Sequence, residues 1–295
     1  MPLINKTVLV SGANYFTDKD AINALMDSSL PVDVDQAIKE HQSIIKAFKK
    51  AGIKVIEVGA PKGMQDGVYT ANWALVRAGE AVLARLPNKR KPEEPVARQH
   101  LSDLGLKLHE LPERIQAFSG QGDSLVCDDV LFVQSPYRTS KAAHPIVKNL
   151  LGFKEVYSLN TKPQRWFKFG PVKNNKITGW PDSPTFDLDL ALAVIKPRID
   201  NSPPLIAYCP KLFKWPSRKI LKDLKGFDKI IIPKDEALKA YAPNLVSTGE
   251  IVIMNSGAPK LKANLVKHGL KVIELDLPEL KKGGGSIRCS SLTLD

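Results

Sequence analysis

The sequence has 295 residues, enough for one large domain or two ordinary ones, and it contains 43% hydrophobic and 25% charged residues. This composition predicts a packed globular core. The net charge of +12 is spread along the chain, and no basic–aromatic motif accompanies it, so we expect a solvated surface and no nucleic-acid partner. A nucleic-acid-binding protein is an alternative that rests on charge alone.

Cysteine usage and hydropathy argue against two further classes of protein. The three cysteines, Cys127, Cys209 and Cys289, have no paired spacing, which argues against a disulfide framework and predicts a reducing, cytoplasmic location. No apolar run reaches the roughly 18 residues that cross a bilayer, and the N-terminus lacks a secretory signal pattern, so we expect no membrane partner. The cysteines and five scattered histidines do not have metal-ligand spacing, so we expect no metal or other cofactor.

An internal repeat organises the predicted elements. In its first copy Asp33 is a helix N-cap, apolar residues between positions 37 and 48 share one helical face, Gly52 ends the helix, and residues 53–58 form a strand. The same order of helix, glycine and strand recurs four more times. The later glycines are Gly105, Gly152, Gly226 and Gly269, and the predicted strands after them span residues 106–111, 153–159, 227–232 and 270–275.

Each copy is followed by a polar or glycine-bearing turn, at residues 65–73, 119–126, 186–191, 247–252 and 281–295. Equivalent turns of quasi-symmetric units should converge at one end of a shared axis. We therefore predict a single α/β domain over residues 1–295, arranged as a ring of five units with a central site. An open α/β sheet would also alternate helices and strands, but it would not predict polar residues at the same point of every unit. Residues 161–183 lack the repeat and are predicted to form an elaborated loop near the mouth of the site.

The last of these turns contains the strongest candidate for chemistry. Gly283, Gly284 and Gly285 indicate that the backbone approaches another group closely or takes positive φ angles. The alternating residues after them predict a strand, with Cys289 where the glycine turn meets it. No Gly-Lys-Ser/Thr follows, which argues against a phosphate loop. Cys289 is therefore a candidate nucleophile, and a small buried hydrophobic residue is the alternative interpretation.

Three motifs occur in order along this repeat. They are Asp66-Gly67-Val68-Tyr69-Thr70-Ala71-Asn72, Tyr137-Arg138-Thr139-Ser140 and Gly283-Gly284-Gly285-Ser286-Ile287-Arg288-Cys289. Through them the chain resembles the guanidine-modifying superfamily, which includes dimethylarginine dimethylaminohydrolases, arginine deiminases and glycine-type amidinotransferases. The resemblance implies a five-bladed α/β propeller, the pentein fold, with pseudo-five-fold repeats.

The resemblance also implies chemistry at the guanidinium carbon of a small compound of the arginine or methylarginine type. In such enzymes a cysteine thiolate attacks that carbon, an amine leaves, and the thiouronium intermediate is released to water or to another amine. By position, Cys289 would be the nucleophile, Asp66 and Asp189 would hold the guanidinium, and Arg138 would meet a substrate carboxylate.

Two positions depart from the pattern of that family. Where the family has an acidic residue the chain has Ser119, and where it has the acid–base histidine the chain has Asp187. Loss of a general acid–base commonly costs about 10²- to 10⁴-fold in rate. A carboxylate near the thiol also raises the pKa of a cysteine. Asp187 could serve as a base, but we expect it to be a poor proton donor at neutral pH.

The sequence leaves two main hypotheses open. The first is an amidinohydrolase or amidinotransferase with altered acid–base chemistry, and the second is a catalytically inactive relative that binds a guanidinium ligand or a protein partner. The candidate residues are Cys289 and Asp187 for catalysis, and Asp66, Ser119, Arg138 and Asp189 for substrate binding. The sequence does not distinguish between guanidino compounds, between hydrolase and transferase, or between oligomeric states.

Overall fold

Five three-stranded sheets form the framework of the computed structural model, which describes residues 3–295. The strands in chain order are β1 (Thr7–Val10), β2 (Lys54–Glu57), β3 (Ala74–Arg77), β4 (Glu80–Leu83), β5 (Lys107–His109), β6 (Ser124–Cys127), β7 (Val130–Gln134), β8 (Glu155–Leu159), β9 (Leu192–Lys196), β10 (Leu205–Tyr208), β11 (Asp228–Ile231), β12 (Val246–Ser247), β13 (Ile251–Asn255), β14 (Lys271–Leu275) and β15 (Leu292–Thr293). The helices are α1 (Val34–Lys50), α2 (Glu93–Asp103), α3 (Gly120–Asp123), α4 (Ala143–Leu150), α5 (Trp215–Asp223), α6 (Lys234–Lys239), α7 (Pro259–Lys267) and α8 (Pro278–Lys282), with 3₁₀ turns at Thr70–Trp73, Leu188–Leu190 and Pro210–Leu212.

All five sheets share one topology. Their strand orders are β15-β1-β2, β3-β4-β5, β6-β7-β8, β11-β10-β9 and β12-β13-β14. In each sheet the central strand pairs antiparallel with one neighbour and parallel with the other. Because a parallel connection needs a crossover, a helix precedes each parallel strand. These helices are α1, α2, α4, α5 and α7.

The first unit shows why the sequence produces these elements. The Asp33 side chain accepts a hydrogen bond from the Gln36 backbone N–H at 3.0 Å and caps the start of α1. Gly52, with φ of +81°, ends that helix in the left-handed region that favours glycine. The glycines predicted to end the other four helices also have positive φ, and a strand follows each of them. The predicted repeat is confirmed.

The apolar face of α1 packs on its own sheet. In the first unit, Ile44 and Phe48 of α1 are fully buried in one cluster with Val8 of β1. Fully burying a side chain of this size stabilises a protein by about 1.5–3 kcal/mol relative to leaving it exposed. The predicted 3.6-residue periodicity of this segment is thus satisfied by burial against the sheet.

The antiparallel strands of the sheets surround a common axis, since β6 contacts β9 and β9 contacts β12. The first sheet takes its antiparallel strand from the other end of the chain. In that pairing Val8 of β1 lies opposite Thr293 of β15, and Leu9 lies opposite Leu292. The result is the predicted five-bladed α/β propeller, in which β15 completes the ring. No helix among residues 3–295 is long and apolar enough to cross a membrane.

The prediction that a strand begins directly after Gly285 is wrong. Residues 286–290 instead form a turn in which the Ser290 N–H donates to the Ser286 carbonyl at 2.9 Å. The Ser290 hydroxyl donates to the same carbonyl at 2.8 Å. Such local side-chain bonds compete with extended structure. Strand β15 begins only at Leu292, and Cys289 lies in the turn before it.

The predicted convergence of the turn at residues 247–252 is also wrong. These residues hold the hairpin between β12 and β13, and the Thr248 carbonyl accepts a hydrogen bond from the Leu3 N–H at 2.8 Å. The loop before β12 approaches the site instead, and its Asn244 contacts Cys289. Strand β12 is only two residues long. The periodicity of the sequence therefore does not show whether the loop before it or the turn after it faces the site.

Residues 161–183 form the irregular segment that the sequence predicts. Isolated bridges join Arg165 to Val172 and Asn174 to Pro181, without a regular strand. The segment lies beside Arg138, whose guanidinium carbon is 5.6 Å from the centre of the Trp180 ring.

Ring closure by β15 gives a testable stability effect. Leu292 is fully buried in a cluster with Leu9 and Trp73, so we expect Leu292→Ala to destabilise the protein by about 2–5 kcal/mol. The measurement is the thermal unfolding midpoint, with Leu104→Ala, at a side chain that is 38% exposed, as the control. A midpoint shift no larger than that of the control would contradict this role of β15.

Candidate active site

Seven segments of the chain meet around a small cavity of about 30 Å³ at one end of the ring axis. Five of the six candidate residues line it. The lining residues are Ile22, Asn23, Asp66, Tyr69, Asn72, Leu86, Pro87, Arg90, Ser119, Arg138, Phe186, Asp187, Gly283, Gly284, Gly285 and Cys289. The sixth candidate, Asp189, is not in this lining but contacts Cys289. None of the five histidines, all of which fall within residues 3–295, lines the cavity.

The glycines before Cys289 allow close packing, as the sequence predicts. A Cβ atom on Gly285 would lie 2.7 Å from the Tyr69 ring and 2.8 Å from the Cys289 Cβ. A Cβ atom on Gly283 would collide with the Tyr69 hydroxyl and the Phe16 ring. Gly284 has a φ of +87°. The backbone can therefore pass this close to Tyr69 only with glycine at these positions.

Cys289 is held by one amide and one carboxyl group. The Asn244 side-chain oxygen accepts hydrogen bonds from the Arg288 N–H at 3.1 Å and from the Cys289 N–H at 3.3 Å. This directs the Asn244 NH₂ group toward the sulfur, to which it donates at 3.1 Å. The thiol in turn donates to Asp189 Oδ2 at 3.2 Å. Sequence reasoning missed Asn244, because only the fold brings its loop to the cysteine.

The surroundings of Cys289 favour the neutral thiol. Burial raises the pKa of the Cys289 thiol well above its ordinary value, and the charges of Asp189 and Asp187 raise it further. Burial also raises the pKa of Asp189 to about 8, with Asp187 as the next contribution. The expected effect of a nearby carboxylate is thus present, although burial is the larger cause. In the ligand-free protein the sulfur is therefore protonated at neutral pH.

The two residues that depart from the family pattern contact each other. The Ser119 hydroxyl donates to Asp187 Oδ1 at 3.0 Å. Asn72 Nδ2 donates to Asp187 Oδ2 at 2.7 Å and to the Ser119 hydroxyl at 2.8 Å. These donors favour the carboxylate form of Asp187, but burial outweighs them and raises the pKa of its carboxyl group. Ser119 and Asp187 therefore form one hydrogen-bonded unit, so the two departures from the family pattern are not independent of each other.

A buried arginine orients Asn72. Arg90 Nη1 donates to Asn72 Oδ1 at 2.7 Å, so the amide nitrogen of Asn72 must face Asp187 and Ser119. Arg90 is itself held by Glu93, through Nε at 2.8 Å and Nη2 at 2.7 Å. Asn72 belongs to one of the three motifs, but no role could be assigned to it from the sequence. The sequence contains no signal for Arg90, which lies in a short basic run that looks like ordinary surface charge.

Asp66 contributes a second carboxyl group to the cavity. Its Oδ2 accepts a hydrogen bond from Gln65 Nε2 at 3.0 Å. Burial raises the pKa of Asp66 to about 7, although the charge of Arg90 acts in the opposite direction. At neutral pH this carboxyl is therefore near its titration midpoint, and a cation entering the cavity would favour its ionised form.

Arg138 lies at the cavity between two aromatic rings. Its guanidinium carbon is 5.6 Å from the centre of the Trp180 ring and 5.4 Å from that of Phe186. Nη2 donates to the Ile22 carbonyl at 2.7 Å, while Nη1 has no hydrogen-bond partner among the described residues. A buried and unpaired guanidinium nitrogen is suited to bind an anion such as a carboxylate.

The cavity thus has acceptors for a cation and a donor for an anion. Asp66 and Asp187 supply the carboxyl groups, and Arg138 supplies the free N–H. This pattern matches a compound that has a cationic group at one end and a carboxylate at the other. In residues 3–295 no group of His, Cys, Asp and Glu side chains has the geometry of a metal site.

Comparison with known proteins identifies the family. The family model described as N,N dimethylarginine dimethylhydrolase, eukaryotic, matches residues 13–165. The chain belongs to this family. This confirms the superfamily expected from the three motifs, and the dimethylargininase fold accounts for the five sheets.

Individual relatives agree with this assignment. The N(G),N(G)-dimethylarginine dimethylaminohydrolase of Mycobacterium tuberculosis is 29% identical over 95% of this chain and 83% of its own length. The bifunctional arginine dihydrolase/ornithine cyclodeaminase AgrE of Nostoc is 28% identical over 88% of this chain, which corresponds to 33% of that longer protein. The solved N-terminal domain of ArgZ, a cyanobacterial arginine dihydrolase bound to substrate, is 25% identical with a TM-score of 0.82, covering 97% of each chain.

The raised pKa of Asp66 predicts a pH-dependent stability. Between its ordinary pKa of 3.8 and its folded pKa of about 7, the folded protein keeps a proton that the unfolded chain releases. Raising the pH through this window therefore lowers the free energy of unfolding, by at most about 1.4 kcal/mol per pH unit for this group. We expect Asp66→Asn to remove this loss.

The measurement is the thermal midpoint from about pH 5 to about pH 8, where Asp66→Asn should become more stable than the unmodified protein as pH rises. Asp200→Asn, at an exposed residue with a φ of +50° that asparagine tolerates, is the matched control. Parallel pH curves for the two variants would show that Asp66 titrates normally.

Proposed function

We propose that this protein acts on a small guanidino compound of the arginine or methylarginine type, with Cys289 as the nucleophile. The observation that carries the proposal is the pairing of this buried thiol with a cavity lined by carboxyl groups, beside which Arg138 has an unpaired guanidinium nitrogen. In this arrangement Asp66 and Asp187 bind the substrate guanidinium, and Arg138 binds the substrate carboxylate.

The named activities of the relatives support a role in arginine metabolism. One relative is a dimethylarginine dimethylaminohydrolase, and another is a bifunctional protein with arginine dihydrolase activity. Both activities remove nitrogen from a guanidino group. Hydrolysis, rather than transfer to a second amine, is therefore the form of the reaction that we propose here.

The binding of a cation is the step that prepares the thiol. A guanidinium beside Cys289 lowers the pKa of its thiol, which burial and Asp189 otherwise hold high. Since Asp189 itself carries a proton at neutral pH, the cation first causes that proton to be released to solvent. The sulfur proton then moves to Asp189 Oδ2, 3.2 Å away, and the thiolate attacks the guanidinium carbon. Asp189 thus acts as the base for the nucleophile, which differs from the direct guanidinium contact expected from the sequence.

Asp187 takes the place of the missing histidine in this scheme. Since burial raises the pKa of its carboxyl group, Asp187 is a better proton donor at neutral pH than the sequence alone suggests. It gives a proton to the leaving amine and takes one back from the water that attacks the thiouronium carbon. Proton return from Asp189 to the departing sulfur restores the thiol.

A catalytically inactive relative that binds the same ligand is the second candidate. It is favoured by the high pKa of Cys289 and by the hydrogen bonds that already occupy both oxygens of Asp187. These features stabilise a resting state in which the nucleophile and the acid are both engaged. The two candidates share the ligand and differ only in turnover.

Features of the fold also support our proposals for the number of domains, the kind of ligand and the cellular compartment. Closure of the ring by β15 supports one domain over residues 1–295, and the small cavity supports a small molecule rather than a nucleic acid as the ligand. The three cysteines are free and buried, which supports a reducing compartment such as the cytoplasm.

Turnover is the first test of the enzyme. Purified protein is incubated with L-arginine, methylarginines or agmatine, and release of a ureido product and of amine is measured. We expect turnover with at least one compound and its loss in Cys289→Ala, while Cys209→Ala, at a buried cysteine away from the cavity, keeps the activity.

The same compounds are tested for binding by calorimetry. If the protein binds a compound without turnover, and a haloacetamidine does not label Cys289 covalently, the hypothesis of an active enzyme is rejected in favour of the inactive relative. If neither binding nor turnover is detected with any of these compounds, both candidates are excluded.

Restoring the family residues is a second test. Because Ser119 and Asp187 are hydrogen-bonded to each other, we expect Ser119→Glu combined with Asp187→His to be more active than either single variant. A histidine in place of Asp187 would supply a general acid–base, worth about 10²- to 10⁴-fold in rate, and remove a negative charge near the thiol. The measurement is kcat for the compound that the unmodified protein binds. A double variant no faster than the unmodified protein would contradict this role of position 187.

A further inference from the structure

A second cavity lies on the ring axis, on the far side of Cys289. We call it the rear cavity; its volume is about 260 Å³, and every antiparallel strand of the ring or the residue next to it contributes to its wall. Representative lining residues, one from each sheet, are Val76, Val126, Val194, Leu245 and Thr293. The rear cavity thus follows the pseudo-five-fold axis, and the cavity at Cys289 lies at the other end of it.

Asp189 joins the two cavities. It lines the rear cavity and also accepts the hydrogen bond of the Cys289 thiol through Oδ2. Its other oxygen, Oδ1, is buried and has no hydrogen-bond partner among the described residues. A buried carboxylate oxygen without a partner is costly, and a water molecule in the adjoining cavity is the simplest group that could satisfy it.

The rear cavity has the size and polarity to hold water. Its volume far exceeds the roughly 10–15 Å³ that one water molecule needs. Gln121 and Arg288 lie on its wall beside Asp189, and Asp128 and Asp295, both exposed to solvent, also line it. Polar groups therefore run from the buried carboxyl group to the surface, while the intervening strands supply apolar walls.

Arg288 limits the rise in the pKa of Asp189. Its guanidinium is fixed by Gln121 Oε1 and by the Thr293 hydroxyl, each at 2.9 Å. From there its charge lowers the pKa of Asp189, against the effects of burial and of Asp187. The polar and charged groups around Asp189 are the Cys289 thiol, the Asn244 amide, the Arg288 guanidinium, Asp187 and Asp123.

We propose that the rear cavity is a water-filled passage through which Asp189 exchanges protons with solvent. At rest Asp189 carries its own proton on Oδ1; as Oδ2 accepts the proton of the Cys289 thiol, Oδ1 releases its proton to water, and the passage carries it to the surface as hydronium, which leaves a thiolate and a neutral carboxyl group. The reverse sequence returns it. We call the cavity of about 30 Å³ at Cys289 the front cavity. A separate proton route matters in catalysis because a ligand in the front cavity would block proton exchange on that side.

The use of the passage in turnover rests on the proposed function, but the passage itself can be tested in protein that does not turn over. The readout is the exchange of the Cys289 S–H group to S–D after transfer into D₂O, followed by the infrared S–H stretching band. Cys289→Ser identifies the band by difference, since Cys127 and Cys209 are also buried thiols.

Three variants separate the two possible routes. Val194→Phe fills the rear cavity, Ile22→Phe fills the front cavity, and Val156→Phe adds the same ring at a partly buried residue that lines neither. We expect Val194→Phe to slow exchange by about tenfold or more, because exchange then requires local opening of packed structure. Ile22→Phe and Val156→Phe should exchange at the rate of the unmodified protein.

The opposite pattern would overturn the proposal. Slower exchange in Ile22→Phe with no change in Val194→Phe would place the proton route on the front side. Unchanged exchange in all three variants would show that neither cavity limits it. If Val194→Phe does not fold, Val194→Leu and Val126→Phe narrow the same cavity and give the same comparison.

Discussion

The pairing of β15 with β1 is the constraint on which the rest of the structure depends. It joins the two ends of the described chain, supplies the antiparallel strand that the first sheet lacks, and closes the ring. Cys289 lies in the turn immediately before β15, so the same pairing that completes the fold also brings the thiol to the axis. Stability and the position of Cys289, which we propose as the nucleophile, are therefore linked through one short strand.

The chemistry of the site follows from the charge that this position buries. Asp66, Asp187 and Asp189 are all nearly inaccessible to solvent, and burial raises the pKa of each carboxyl group. A cation would reverse these shifts, because it favours the ionised form of every acid around it. Under the proposed function, the site responds to a guanidinium, with a neutral thiol at rest and an ionised one when the ligand is bound.

The family supplies the fold and the place of the site, but not its acid–base chemistry. By the pattern that the resemblance implies, a hydroxyl and a carboxylate stand where an acid and a histidine are expected, and these two residues, Ser119 and Asp187, are hydrogen-bonded to each other. Asn72 completes the group and is oriented by Arg90. A shared fold does not determine such details, since activity depends on the geometry of particular side chains. The two replacements are best understood as one altered site.

The local elements and many of the candidate site residues could be predicted from the order of amino acids alone. Caps such as Asp33, helix-ending glycines such as Gly52 and the periodicity between them are local properties, so five repeated units and their ring could be predicted. The close approach at Gly283 and Gly285 was predictable for the same reason. Three further features depend on the folded arrangement: Asn244 holds Cys289, Arg90 orients Asn72, and Asp189 lies between two cavities. These contacts join residues far apart in sequence, and burial, the largest cause of the shifted pKa values, is a sum over all the units of the ring.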